Sequence, residues 1–300
     1  MEKLLVSVPV ITYNSAKTVL ETLESIKAQT YQNIELIISD DCSKDTTVEI
    51  CRSWVEKNKE RFVRTEIITA EKNTGVSANM NRAENACHGE WIKGIAGDDL
   101  LMPNCIQTYI EYVNKHPNAV YVFSKVIVFG MDQEKIMRFR DTIFDYSFFN
   151  LTPEQQYERM ICWNFQPIPA ATAFYNCIKT KELGLIFDER IPMLEDWPRW
   201  IQCLEKKVRF YFIDNELVKY RISESSICSG AIYSASFRRS LALMYIYYQF
   251  KPAIKYKGLY LAILKYIHSL YVVEQNFFWH VIDYIFRKTN RIFRKQDEFY

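Results

Sequence analysis

Residues 90–102 read Glu90-Trp-Ile-Lys-Gly-Ile-Ala-Gly-Asp-Asp-Leu-Leu-Met102, which predicts a strand that runs into two adjacent acids. The run is apolar apart from Lys93 and ends at Gly97, so Asp98 and Asp99 are expected at the carboxyl edge of a sheet, where open α/β sheets bind ligands. Paired carboxylates at such an edge suit a hard divalent cation, whose ligands are carboxylates, waters and phosphates. An isolated pair would instead be a solvated turn, so the interpretation depends on the neighbouring motifs.

Apolar runs and helical patterns alternate on either side of this stretch. Residues 4–11 and 34–39 are nearly continuous apolar runs, typical of buried parallel strands, and each precedes a helical pattern. Ser15 is expected to be the N-cap of the first helix, and residues 64–68 and 76–87 predict a third strand and its helix. The alternation predicts an α/β fold with a Rossmann-type mixed, mostly parallel sheet flanked by helices.

The polar residues of the first half directly follow predicted strands: Thr12-Tyr13-Asn14, Asp40-Asp41, Asn73 with Gly75, and Asp98-Asp99. Because the carboxyl ends of parallel strands share one edge of a sheet, these side chains predict a common cleft. The glycines never form the Gly-x-Gly-x-x-Gly turn of dehydrogenases, and a Walker A loop is absent too. A nucleotide in this cleft would therefore be bound through acids and a metal.

The net charge of the chain is small, and the charged residues are unevenly distributed along it. A formal net charge of +2 over 300 residues argues against a protein whose whole surface attracts nucleic acid. The charge is uneven, since residues 219–300 carry 13 Lys/Arg and 5 Asp/Glu, whereas residues 1–218 carry 25 and 31. The two parts are therefore expected to meet different partners.

The eight cysteines are scattered singly, without a Cys-x-x-Cys pair and with four histidines to partner them, which disfavours a zinc site. Such cysteines are typical of buried positions in a reducing compartment. The first residues contain no cleavable apolar segment, and no uncharged apolar run reaches the ~18 residues of a membrane-spanning helix. A cytoplasmic location is expected, with peripheral attachment to the inner face of the membrane left open.

The motifs together resemble the family 2 glycosyltransferases, which have the GT-A type of fold. The resemblance covers about residues 4–225 and rests on five motifs in family order: Ser7-Val-Pro-Val-Ile-Thr-Tyr-Asn14, Asp40-Asp-Cys-Ser-Lys-Asp-Thr-Thr47, Asn73-Thr-Gly-Val-Ser77, Gly89-Glu-Trp-Ile92, and Gly97-Asp-Asp99 with Pro103. It implies a GT-A-like domain over residues 1–225, with a nucleotide-sugar half at about 1–103 and an acceptor half at about 104–225.

The resemblance also implies a reaction. It implies an inverting transfer, dependent on Mn²⁺ or Mg²⁺, from a nucleotide-diphosphate sugar, most simply a UDP-sugar. The acceptor would be a glycan or a lipid-linked molecule in cell-surface polysaccharide biosynthesis. Acceptor choice is expected to depend on loops such as residues 131–150, where no motif helps.

Site residues follow from the resemblance as well. It implies that Asp99 is the metal ligand and that the nucleotide is bound by Thr12, Tyr13, Asn14, Asp40, Asp41, Asn73, Asn81, Arg82, Asp98 and Arg221. On chemistry alone, a tyrosine can stack on a base and a carboxylate can accept from a uracil-like N–H, while a ring that caps the sheet end is the alternative for Tyr13. The chain departs from the family pattern in two places. Cys42 stands where the family usually has glycine, and residues 78–81 lack the arginine that the family usually has near the end of its Gly-Val-Ser segment.

An acidic pair in the second half is a candidate for the chemical step. On the resemblance, Asp196 is the catalytic base and Glu195 its neighbour. Displacement at an anomeric carbon requires the acceptor hydroxyl to lose a proton, and a positioned carboxylate contributes typically 10²–10⁴-fold to such a step. The alternative is an acidic pair that stabilises a helix N-terminus. Trp197 and Trp200 are either a sugar-stacking platform or core residues.

Two further segments complete the expectations. Arg221 follows a strand predicted at 208–213 and matches a Tyr-Arg-x-His element of related transferases, with Ser223 in place of the histidine; it is either a diphosphate clamp or part of a surface ion pair. Residues 226–300 are predicted to be helical, basic and aromatic, and their ending at 286–295 alternates apolar residues with cations as a helix on an anionic membrane surface would. The alternative for them is packing on the core or on another subunit, such as a homodimer partner.

The missing arginine and histidine also keep a protein of a different class open. That protein would be a non-catalytic nucleotide-sugar-binding or scaffolding protein that retains the fold.

Overall fold

The computed structural model of the protein describes residues 4–130, 144–162, 168–222, 235–252 and 254. Its strands are β1 Val6–Thr12, β2 Ile34–Asp40, β3 Arg64–Thr69, β4 Trp91–Ile92, β5 Ile95–Ala96, β6 Leu100–Leu101, β7 Tyr121–Phe129, β8 Phe174–Asn176 and β9 Phe210–Arg221. Its α-helices are α1 Val19–Lys27, α2 Thr47–Asn58, α3 Val76–Asn85, α4 Cys105–Lys115, α5 Pro153–Cys162, α6 Cys177–Glu182, α7 Asp196–Glu205 and α8 Ala235–Met244. A π-helical turn, Tyr245–Gln249, continues α8.

The strands form one mixed sheet in the order β3-β2-β1-β4-β8-β7-β9-β6, with β5 paired to β1. Among the described residues, five of the eight strand pairings are parallel. The predicted mixed, mostly parallel α/β sheet is therefore confirmed. β1, β2 and β3 end together, because Thr12 pairs with Asp40 and Asp40 pairs with Thr69.

Hydrophobic clusters cover both faces of the sheet, as the continuous apolar runs predict. One contains the buried side chains of Val8 and Val10 with those of α1 and α4, and the other lies among α5, α7 and α8. Trp197 and Trp200 are 3% and 2% exposed in the second cluster. They are core residues, which was one of the two interpretations of this pair.

The strand predicted over residues 90–96 is two short strands, β4 and β5, which pair with β1 at Val6 and Val10. The break lies at Lys93, whose side chain is fully buried. Its Nζ donates to the carbonyl oxygens of Gly94 at 2.8 Å and Ala171 at 2.7 Å. The Lys93 N–H still donates to the Ser7 carbonyl at 2.9 Å, so the interruption between β4 and β5 is short.

Helix α1 begins at Val19, four residues after the predicted cap. The backbone N–H of Ser15 donates to Thr47 Oγ1 at 2.8 Å, and its carbonyl accepts from the Val19 N–H at 2.9 Å. Ser15 therefore opens a turn that precedes the helix, and its contact with α2 fixes that turn. The strand predicted at 208–213 continues as β9 to Arg221, where it pairs with β7.

The helical character predicted after residue 226 is observed in α8 and the π-helical turn, which pack on α7 and α5. Ser240 Oγ accepts from the Met193 N–H at 3.2 Å, and Gln249 Nε2 donates to the Met160 carbonyl at 2.7 Å. The predictions of membrane contact and of a homodimer fall mostly on residues 255–300, outside the described residues. Within the described ranges, none of the helices has the length and apolar character needed to cross a membrane.

Candidate functional site

The ends of β1 and β2 are joined through Asp40, which is 1% exposed. Its Oδ2 accepts from Thr12 Oγ1 at 2.8 Å and from Ser43 Oγ at 2.5 Å, and its Oδ1 accepts from the Ser43 N–H at 2.8 Å. Three donors of the protein thus hold this carboxylate in one orientation at the strand ends. A carboxylate oxygen accepts more than one hydrogen bond, so Asp40 keeps capacity for a ligand N–H.

Tyr13 and Asn14, in the loop after β1, are placed differently from each other. The Asn14 N–H donates to Ser43 Oγ and its Oδ1 accepts from the Lys44 N–H, both at 2.8 Å. Asn14 therefore fastens this loop to the loop after β2, in a left-handed conformation with φ 51° that asparagine tolerates better than most residues. The Tyr13 side chain is 48% exposed. Part of the ring is thus available for stacking.

Asp41 attaches the third motif to the end of β2. Its carboxylate accepts from the Thr74 N–H at 2.9 Å, from Thr74 Oγ1 at 2.6 Å and from the Gly75 N–H at 2.8 Å. Burial raises the pKa of Asp41, but these hydrogen bonds and the one from Arg82 outweigh burial and lower the pKa below its usual value. Asn73 closes the motif, with Oδ1 accepting from the Gly75 N–H at 3.2 Å.

Helix α3 points Arg82 at the strand ends. The Arg82 Nη2 donates to Asp41 Oδ1 and to Asn79 Oδ1, both at 2.9 Å, and its Nε donates to Ser39 Oγ at 3.1 Å. Arg82 therefore places a cation at the predicted nucleotide edge, close to where the resemblance leaves an arginine missing.

Asn81 lies on a different face of α3 from Arg82. Its Nδ2 donates to the Phe187 carbonyl and to Glu189 Oε1, both at 2.8 Å, and its Oδ1 accepts from the Phe187 N–H at 3.2 Å. The structure therefore places Asn81 against residues 187–189 and away from the strand ends, in contrast to its predicted role at the nucleotide. One residue along a helix turns a side chain by about 100°, which separates Asn81 from Arg82.

Asp98 and Asp99 lie in the turn between β5 and β6, where the sequence predicts them. Asp99 is 2% exposed, and its Oδ1 accepts from the Arg221 N–H at 2.8 Å. Burial and the neighbouring Asp98 raise the pKa of Asp99 well above its usual value. Burial also raises the pKa of Asp98. Two adjacent carboxylates repel each other, which makes both acids harder to ionise. A bound cation between them would offset this repulsion.

Arg221, at the end of β9, contacts this turn directly. Its Nε donates to the Asp98 carbonyl and its Nη2 to Glu21 Oε2, both at 2.8 Å. Its guanidinium also lies over the Phe129 ring, 4.4 Å from the centroid. Arg221 thus lies beside the acids, and its ion pair with Glu21 uses part of its donor capacity; its role as a diphosphate clamp stays a prediction.

Lys93 is a charged residue of this region to which the sequence assigned no role. Burial lowers its pKa to about 8, although Cys105 and Asp99 act in the opposite direction. The sequence signal was its position as the one charge in an apolar run. Lys93 and Arg221 are therefore both close enough to Asp99 to act on it electrostatically.

The donor set at Asp98-Asp99 fits a hard divalent cation that takes few ligands from the protein. No group of three or more potential ligands is found within the part of the chain that the structure describes. Mg²⁺ and similar ions commonly use one or two carboxylates, with waters and substrate phosphates in the other positions. Asp99 has one oxygen committed to the Arg221 N–H, which leaves the other oxygen and the Asp98 carboxylate for such an ion.

The acidic pair lies at the start of α7, close to the third motif. Ser77 Oγ donates to the Ile191 carbonyl at 2.6 Å, and the Ser77 N–H donates to the Pro192 carbonyl at 3.3 Å. Asp196 begins α7, and its Oδ1 accepts from the Trp197 N–H at 2.6 Å. Hydrogen bonds therefore join the start of α3 to the segment that leads directly into Glu195 and Asp196.

Glu195 differs from an ordinary surface glutamate. Burial and the neighbouring Asp196 raise its pKa to about 8, so Glu195 binds a proton more readily than an exposed glutamate does. Such a shift is frequent where carboxyls do chemistry, although structural groups show it too.

Glu195→Gln tests this shift through stability. A raised folded-state pKa contributes stability that is fully present below the unfolded value of 4.5 and is lost as pH rises through about 8. Glutamine stays neutral at every pH, so the variant should be more stable than wild type at pH 9, by roughly 1–2 kcal/mol, and not at pH 4. Urea unfolding at both pH values measures this, with exposed Glu205→Gln as the control. An equal difference at both pH values would contradict it.

Gly75→Ala tests the contact between the third motif and the acidic segment. Gly75 has φ 89° and ψ 166°, and an added Cβ would lie 2.7 Å from the Pro192 Cβ and carbonyl oxygen. Strain in this region of backbone space and overpacking together should lower the free energy of unfolding by about 2–5 kcal/mol.

Gly184→Ala is the matched control, because Gly184 has φ 65° and nothing within 4 Å of an added Cβ. Strain alone should cost it about 1–2 kcal/mol. Chemical unfolding of both variants gives the comparison, and equal losses would show that the Pro192 contact is unimportant.

Comparisons with known proteins find relatives of this chain. The chain is 28% identical over 225 residues to an uncharacterised glycosyltransferase of Methanocaldococcus jannaschii, covering 74% of this chain and 72% of the relative. It is 25% identical over 228 residues to TuaG of Bacillus subtilis, whose name assigns it to teichuronic acid biosynthesis, covering 76% of this chain and 83% of that one.

Solved structures share the fold. Staphylococcus aureus TarS 1–349 in complex with UDP-GlcNAc has a TM-score of 0.64 at 19% identity, covering 90% of this chain and 81% of that one. A longer TarS chain is covered over 48% of its length. Mannosyltransferase PcManGT from Pyrobaculum calidifontis, in complex with GDP-Man and Mn²⁺, has a TM-score of 0.59 at 15% identity, covering 91% and 73%.

The fold is thus of the GT-A type. The sequence model of glycosyl transferase family 2 matches residues 7–184, which is more than half of the protein. The chain belongs to glycosyl transferase family 2.

Proposed function

We propose that this glycosyltransferase moves a sugar from a nucleotide-diphosphate donor to a glycan or lipid-linked acceptor, with inversion, in cell-surface polysaccharide biosynthesis. The observation that carries the proposal is the position of α3. Its Arg82 reaches the strand ends at Asp41, and its Ser77 holds the segment before Asp196. One helix therefore connects a nucleotide edge to an acidic pair.

The nucleotide would lie along the ends of β1 and β2. Tyr13 stacks on the base, since its side chain is 48% exposed, and Asp40 accepts from a ring N–H. A UDP-sugar is the simplest donor, which the likeness to TarS in complex with UDP-GlcNAc supports. The likeness to PcManGT in complex with GDP-Man makes a guanosine donor the comparison to include.

The chain's own residues divide the remaining tasks. Asp99, with Asp98 beside it, would hold Mn²⁺ or Mg²⁺, which supplies Lewis-acid stabilisation of the charge on the leaving diphosphate. Arg221 adds a fixed cation at the same turn, since its N–H and Nε already contact Asp99 and Asp98. Asp196 accepts the proton of the acceptor hydroxyl, and Glu195 is its protonated neighbour.

The test is a titration followed by a turnover assay. Calorimetry with UDP and GDP, each with and without Mn²⁺, measures donor-side binding, and hydrolysis of a panel of nucleotide sugars measures reaction. Metal-dependent binding together with hydrolysis of one donor is the expected result. Binding without any turnover would instead identify a non-catalytic nucleotide-sugar-binding protein, and no binding would contradict both.

A further inference from the structure

One face of α3 is committed to the segment that carries the acidic pair. Ser77, Asn81 and Glu84 follow each other at spacings of four and three, which places them on one face of the helix. Ser77 contacts Ile191 and Asn81 contacts Phe187 through hydrogen bonds. The last of these contacts, at Glu84, is an ion pair with α7 itself.

Glu84 and Arg199 form a buried ion pair, with exposures of 6% and 1%. Arg199 Nη1 donates to Glu84 Oε2 at 2.7 Å, and Nη2 donates to Oε1 at 3.2 Å. This is the bidentate geometry in which a guanidinium and a carboxylate fix each other's orientation. The two residues are 115 positions apart in sequence, and the pair joins α3 to α7.

Further contacts hold the Arg199 guanidinium on all sides. Its Nε donates to the Tyr121 hydroxyl at 2.8 Å, and the Tyr175 hydroxyl donates to Glu84 Oε2 at 2.8 Å. The guanidinium lies over the rings of Phe187 and Tyr175, 3.9 Å and 4.9 Å from their centroids. Two strands, a loop and two helices therefore fix the position of one side chain.

Such a pair is poorly explained by stability alone. Removing two charges from water costs about as much as their attraction returns, so well-packed apolar residues often serve stability equally well. What the pair adds is a defined geometry between two helices. Arg199 lies three residues after Asp196, so the two lie close together on α7, and α3 carries Arg82 at the nucleotide edge.

We propose that Glu84 and Arg199 are positioning residues, which set the location of Asp196 relative to the donor bound at the strand ends. The proposal rests on the proposed function, in which Asp196 is the base. Neither residue touches the reacting groups; each acts through the helix that it fixes. A displacement of about 1 Å at a reacting group can cost about 10²-fold in rate, and a neutral replacement for the pair would permit such a displacement.

The test is the double variant Glu84→Gln/Arg199→Met, in which no buried charge is left unpaired. The glutamine introduced by Glu84→Gln can still accept from the Tyr175 hydroxyl, and methionine fills much of the arginine volume. Arg199→Met alone leaves a buried carboxylate without its partner, so its thermal midpoint should fall by roughly 10 °C. The double variant should recover most of that loss. Its UDP affinity should stay within about twofold of wild type, while kcat falls by about 10²-fold.

Arg199→Lys supplies a second route if the double variant does not fold. Lysine keeps the charge but loses the bidentate contact, so kcat should fall at least tenfold with KM for the donor unchanged. Exposed Arg209→Met is the matched control and should leave kcat unchanged. Turnover within about threefold of wild type, in either folded variant, would overturn the proposal. Asp196→Asn is assayed in parallel to separate the outcomes. Wild-type turnover of Asp196→Asn would reject Asp196 as the base, whereas loss of turnover there with normal turnover in the pair variants would reject the positioning role alone.

Discussion

Asp196→Asn is expected to lower kcat for sugar transfer by about 10²–10⁴-fold, the usual contribution of a positioned general base. Asparagine has the same shape, and its side-chain oxygen can still accept from the Trp197 N–H, a hydrogen bond of 2.6 Å in this structure. The start of α7 should therefore keep its conformation. What is lost is a group that takes up a proton at neutral pH.

Two measurements distinguish loss of the base from loss of the fold. Calorimetric affinity for UDP with Mn²⁺ should stay within about twofold of wild type, because the strand ends are unchanged. Glu205→Gln, at the exposed end of the same helix, should leave kcat unchanged. Normal turnover by Asp196→Asn would show that another group accepts the proton.

Asp99→Asn is expected to weaken metal-dependent UDP binding by about 10²-fold or more, while leaving the fold intact. The amide oxygen can still accept from the Arg221 N–H, which is 2.8 Å from Asp99 Oδ1. A neutral amide is however a poor ligand for a hard cation compared with a carboxylate. Even the outer-shell partners of metal ligands typically contribute 10–100-fold to affinity.

Asp99→Asn is expected to weaken metal-dependent UDP binding without lowering the thermal stability of the protein. The pKa of Asp99 is raised well above its usual value by burial and by Asp98, so stability from this group is lost as pH rises through the raised pKa. The permanently neutral asparagine avoids that loss. We expect the thermal midpoint at pH 8 to be unchanged or higher, with exposed Asp214→Asn as control. Mn²⁺-dependent UDP binding equal to that of wild type would exclude Asp99 as the ligand.

The sheet and the strand-end cluster could be predicted because they depend on local patterns. A nearly continuous apolar run such as residues 34–39 forms a buried strand almost regardless of its neighbours, and the next residues then lie at its end. Asp40, Asp41 and Asp98 occupy the edge that these runs predicted. The partner of the buried Lys93 could not be predicted in this way, because its Nζ donates to the carbonyl of Ala171, 78 residues away.

The second side of the site depends on contacts that no local pattern contains. Asn81 and Arg82 are adjacent in sequence, and only the docking of residues 187–191 on α3 decides which of them meets the strand ends. Arg199 reads in sequence as one more charge on a helix, and its pairing with Glu84 requires α3 and α7 to pack together although the two residues are 115 positions apart. The sequence spacing of three from Asp196 was the available signal, and it is too common to be diagnostic.

Helix α3 has contacts on all sides, and within Val76–Asn85 the residue Asn85 alone is exposed. Inserting or deleting one residue would rotate the rest of the helix by about 100° and move Arg82 and Glu84 off their targets together. We therefore expect the length of this segment to be invariant among functional descendants of the protein. Changes in chain length should accumulate instead in exposed turns that do not lead into these contacts.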